Sequence, residues 1–77
     1  SAIQNLSLLA VALNEKQYKT EAESTLEQIA AYHKEPLLVS LWFADALRLC
    51  GHPDKADAVE QTLVDNGLMP SVRLKKK

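Results

Sequence analysis

The chain has 77 residues, nine Lys or Arg against ten Asp or Glu, a net charge of −1 and one cysteine. Hydrophobic residues at 47% and charged ones at 25% describe one ordinary globular domain, near the lower size limit of a self-sufficient core. A charge this close to zero argues against phosphate neutralisation as the main task, and Cys50 alone excludes a disulfide scaffold.

A single thiol favours the cytoplasm or another reducing compartment. No apolar run reaches the roughly 18 residues a membrane span needs, so no membrane insertion is expected. The chain starts at Ser1 without a Met and without a signal peptide, which reads as a fragment or a processed product.

Four helical stretches are expected. From Ala2 to about Asn14, Ile3, Leu6, Leu9, Ala10 and Leu13 form a helical stripe. Thr20 stands three residues before Glu23, a capping-box pattern, and Ala22, Leu26, Ile29, Ala30 and His33 follow on one face. Pro36 ends that helix or opens the next. Leu37 to Leu49 is so apolar, with Leu38, Leu41, Trp42, Phe43 and Leu47, that it reads as a central helix buried on more than one side. Gly51 suits the left-handed turn that ends it, and Pro53 the first turn of the next helix. Asp54 is placed to cap that fourth helix, which buries Ala56, Val59 and Leu63 and stops at Asn66-Gly67. No segment alternates long enough to be a strand, and the domain is expected to be all-α.

The two halves repeat. A single shift along the chain carries Ala10 onto Ala44, Ala12 onto Ala46, Leu13 onto Leu47, Ala22 onto Ala56, Ile29 onto Leu63 and Pro36 onto Pro70. Small residues recur where helices would cross closely and large ones where they would fill a groove. Two helix-turn-helix repeats are expected, residues 2–35 and 36–69, with a basic tail at 70–77. The alternative is an unrelated four-helix bundle.

On these residues the chain resembles the tetratricopeptide repeat family over nearly its whole length. Ala10, Ala44, Ala22 and Ala56 match the family's small residues, and Leu9, Phe43, Leu13 and Leu47 its large packing positions. The resemblance implies four antiparallel helices in a right-handed α-solenoid. The chain departs from the family at Leu26 and Glu60, where an aromatic is usual, and at Ile29 and Leu63, where a small residue is. The late proline is instead similar to the pentatricopeptide repeat family, as in the spacing from Gly51 through Ala56, Leu63 and Gly67 to Pro70. That family binds single-stranded RNA, but Leu41 and Trp42 stand where its polar base-reading residues would be. With two repeats and a slightly acidic chain, nucleic acid is not the expected partner.

Catalysis finds little support. His33 and His52 have no Cys or carboxylate at metal-ligand spacing, and no Ser-His-Asp set or phosphate-binding loop is present. His52 reads as a turn residue and Cys50 as a plain buried thiol. No enzyme, cofactor or metal is expected. The resemblance implies a non-enzymatic protein–protein interaction module whose first helices line a groove. Carried over by position, that groove takes Gln4, Ser7, Val11 and Asn14 from one repeat and Leu38, Leu41, Asp45 and Arg48 from the other. The expected protein-binding set is Val11, Leu38, Leu41, Trp42, Asp45 and Arg48, and the partner a protein or peptide segment. Two repeats leave an apolar end face, so a homodimer or membership of a larger repeat array is the competing expectation.

Overall fold

A computed structural model describes residues 1–32 and 35–70. The basic tail beyond Pro70, with Arg73 and Lys75 to Lys77, and His33 lie outside the described residues. Four α-helices follow one another: α1 (Ala2–Glu15), α2 (Lys19–Ala30), α3 (Ser40–Leu49) and α4 (Pro53–Asp65). A 3-10 turn, Leu37–Val39, leads into α3. Among the described residues there is no strand, and no helix is long and apolar enough to cross a membrane. The helices form a slab 34 × 31 × 14 Å across.

Each hairpin turn is built from the same bonds. The Tyr18 N–H donates to the Leu13 carbonyl at 2.9 Å, and the His52 N–H to the Leu47 carbonyl at 2.8 Å. Lys16 to Ala12, Gln17 to Asn14 and Ala22 to Tyr18 recur likewise as Cys50 to Ala46, Gly51 to Arg48 and Ala56 to His52. The residue at the sharp bend is left-handed in both turns, Gly51 at φ 90° and Gln17 at φ 71°. Glycine adopts that conformation freely and glutamine only at a cost of roughly 1 kcal/mol or more. The backbone of the first turn therefore recurs in the second even where the sequence does not.

These tight turns correct both expected caps. The chain re-enters a helix immediately after the left-handed residue, so Tyr18 and His52 occupy the N-cap positions, neither with a side-chain capping bond. Thr20 and Asp54 sit too late to cap and lie in the first turns of α2 and α4. The side-chain cap appears instead at α1. Ser1 Oγ accepts from the Gln4 N–H, while the Glu35 carboxylate accepts from Ser1 Oγ and from the N–H groups of Ala2 and Ile3 at 2.8, 2.8 and 3.1 Å. Desolvation would raise the Glu35 carboxyl, but these hydrogen bonds outweigh it and hold it below its usual range.

α1 packs on α2 and α3, and α3 packs on α4 and touches α2. The buried cluster is Ile3, Ala10, Leu26, Ile29, Ala44, Ala46, Leu47 and Ala56. Ala10, Ala22, Ala44 and Ala56 are all nearly sealed from solvent, because only a methyl fits where neighbouring helices converge. α3 is buried on the sides it turns to α1 and to α4, with Ala44, Ala46 and Leu47 sealed and Phe43 half-buried. Its apolar residues do not all turn inward, and Leu38, Trp42 and Leu49 remain exposed on a third face.

Candidate protein-docking surface

The outward face of α3 and its leading turn holds Leu38, Trp42, Asp45 and Leu49, spaced as one helical stripe. Leu38 is 48% exposed, Trp42 42% and Leu49 66%. Scattered exposed leucines are ordinary, but three large apolar groups in line on one helix, one of them the chain's only tryptophan, form a patch.

The expected site residues divide between this patch and the interior. Leu38, Trp42 and Asp45 lie on the outer face and Leu41 is half-buried at its margin. Val11 is half-buried and packs against the core cluster. Its α1 companions Gln4 and Asn14 are half-buried, and Ser7 is only 2% exposed with no hydrogen-bond partner for its Oγ.

Arg48 is turned to α4 and is committed there. Its Nη2 donates to Asp57 Oδ1 at 2.7 Å and to Glu60 Oε1 at 3.2 Å, while Nη1 donates to Glu60 Oε2 at 3.2 Å. Glu60 is 1% exposed, and the two-pronged guanidinium helps to offset the cost of a carboxylate at that depth. The hydrogen bonds from Arg48 to Glu60, and then to Asp57, hold the guanidinium still more firmly protonated.

A concavity runs between α2 and α4. A cleft of about 400 Å³, lined among others by Ile29, Tyr32, Leu37 and Thr62, shares Ala30, Phe43 and Val59 with one of about 250 Å³ that Leu26, Glu27, Leu47 and Lys55 line. At the far end His52 Nε2 meets Glu23 Oε2 at 2.7 Å, tying the α3–α4 turn to α2. Among the described residues no group of three or more His, Cys, Asp and Glu could hold a metal. The Cys50 thiol approaches the Ala10 carbonyl at 3.8 Å and is pushed up by burial and, less, by Glu23, so it is a poor nucleophile.

Three features were not anticipated in the sequence: Leu49 on the stripe, the sealed Glu60 and the cleft floored by Phe43. Leu49 follows Trp42 by two helical turns, a spacing that was available to be read. Asp57 and Glu60 lie three apart on α4, which marks a shared face for a cation, but that cation, Arg48, comes from another helix. No family model matches the chain, and no curated protein or solved structure is significantly similar to it.

Proposed function

We propose that this domain is a non-enzymatic interaction module that docks a segment of another protein along the outer face of α3. The observation that carries this reading is the exposure of Leu38, Trp42 and Leu49 in one line on a helix whose opposite face is sealed. Binding hot spots are enriched in tryptophan and lie in apolar surroundings, where truncation costs about 2 kcal/mol or more. The partner segment is an amphipathic helix, whose apolar positions repeat at the interval of the stripe.

The arrangement belongs with this reading as two tetratricopeptide-like repeats of a right-handed α-solenoid. Its support is the recurrence, from the first hairpin to the second, of turn bonds, left-handed bends and buried alanines. The test uses Trp42 as its own reporter. Amphipathic helical peptides selected from a display library should shift its emission to the blue on binding. Peptide binding, followed by calorimetry where Trp42 is replaced, that survives both Trp42→Ala and Leu49→Lys, or that is lost instead when Val59 or Lys55 in the α2–α4 cleft is replaced, overturns the assignment.

A further inference from the structure

The cleft between α2 and α4 changes character along its length. Its lobes of about 400 and 250 Å³ meet at Ala30, Phe43 and Val59, all apolar. Glu35 lines only the larger lobe, and Glu23 and Glu27 line only the smaller. A carboxylate therefore stands on either side of an aliphatic and aromatic middle. Together the lobes have the size of a small-molecule site.

One carboxylate in each lobe is open to a further partner. Glu35 Oε1 accepts from Ser1 Oγ and from the Ile3 N–H, whereas Oε2 accepts only from the Ala2 N–H. A carboxylate offers about four acceptor positions, so one on Oε2 is left. Its donors are uncharged, and among the described residues no Lys, Arg or His pairs with it. In the smaller lobe His52 takes Glu23 at 2.7 Å. Glu27 follows Glu23 by one helical turn, is exposed and forms no bond with another described side chain. Lys55 lies exposed on the facing wall and pairs with neither glutamate. Even with His52 protonated, the three carboxylates of the cleft outnumber its two cations.

We infer that the cleft binds a linear aliphatic diamine, one ammonium at Glu35, the other at Glu27, its methylene chain across Phe43 and Val59. Each ammonium brings a charge-assisted hydrogen bond to a carboxylate that has none from a described cation. The methylene chain takes the apolar middle out of water. A monoamine leaves one carboxylate unserved, and a dicarboxylate meets both as like charges. Leu38, Trp42 and Leu49 line neither lobe, so this site is additional to the proposed docking stripe.

An amide NMR titration of the full chain reads the result. The probes are the diaminoalkanes from diaminobutane to diaminodecane, each set against the monoamine and the dicarboxylate of the same length. The amide signals of Glu27, Ala30 and Val59 should shift, and one chain length should bind best. Its monoamine should bind at least about threefold more weakly. Glu27→Gln and Glu35→Gln should each bring that diamine down to the level of its monoamine. Ala30→Lys, at an exposed position, should block the middle of the cleft with helicity unchanged. If Glu35→Gln loosens α1, Glu27→Gln decides alone. The proposal is overturned if no diamine shifts these signals, if the monoamine or the dicarboxylate binds as well, or if binding is indifferent to Glu27→Gln and Ala30→Lys.

Discussion

The two hairpins share a backbone and differ in how their second helices meet what lies beside them. Leu26 of α2 is 4% exposed and joins the core cluster, while Glu60, its equivalent on α4, is 1% exposed and holds Arg48. One fold position therefore accepts either an aliphatic group or a carboxylate, provided each arrives with its own surroundings. The same equivalence separates Ala46, sealed at 1%, from Ala12, which is exposed. Burial follows a position's neighbours more than its own residue type.

The sharpest way to break that comparison is to exchange the residues. Leu26→Glu places a carboxylate in the core without a guanidinium and should destabilise by about 3–5 kcal/mol, read by urea unfolding. The converse is milder. Arg48→Met leaves Glu60 buried without its guanidinium and should cost about 2–3 kcal/mol, below the full value because the Arg48 side chain is 37% exposed. Adding Glu60→Leu to Arg48→Met should restore most of the loss, since an apolar pair can replace a buried ionic one. If the double variant is no better than the single, Glu60 is held by something other than charge.

The packing of the small residues gives the next contrast. Ala56→Leu should overpack the α3–α4 contact by about 1–3 kcal/mol, while Ala12→Leu on the open face of α1 should stay within about 0.5 kcal/mol. Equal melting losses would mean that the two alanines share an environment after all. At the turns, Gln17→Gly should raise stability by up to about 1 kcal/mol, because it gives the first bend the residue the second already has.

Helix number was legible because apolar periodicity marks each helix, and the shift that carries Ala10 onto Ala44 also carries the bonds of one turn onto those of the other. The caps were not, because Thr20 and Asp54 have the right chemistry and the turn bonds from Tyr18 to Leu13 and from His52 to Leu47 end the loop before reaching them. The α3 face was half legible. Its apolar content was plain, but whether Leu38 and Trp42 face a core or solvent depends on how many layers flank the helix, which no local pattern encodes. Arg48 and Glu60 were read apart because a cross-helix ion pair leaves no periodic trace.

The smallest effect expected lies at Glu35. Its carboxyl is held below its usual range in the fold, so its contribution is present above the unfolded value near pH 4 and is lost as pH falls through the lower folded value. Glu35→Gln should therefore lower the melting temperature slightly at neutral pH and converge with the parent under acid. A difference that widens toward acid would reverse the sign and contradict the placement of that carboxylate at the start of α1.

The claim that α3 has one face for the core and one for a partner is tested most directly by the double variant Leu38→Asp, Leu49→Lys. Asp near the start of the helix and Lys at its end both suit the helix dipole, so neither charge harms the fold by its placement. Unfolding followed by circular dichroism, with peptide binding measured on the same sample, should show a melting curve near that of the parent and binding reduced at least about tenfold. A cooperative loss of helicity would show that these leucines belong to the core, and unchanged binding would show that the partner docks elsewhere.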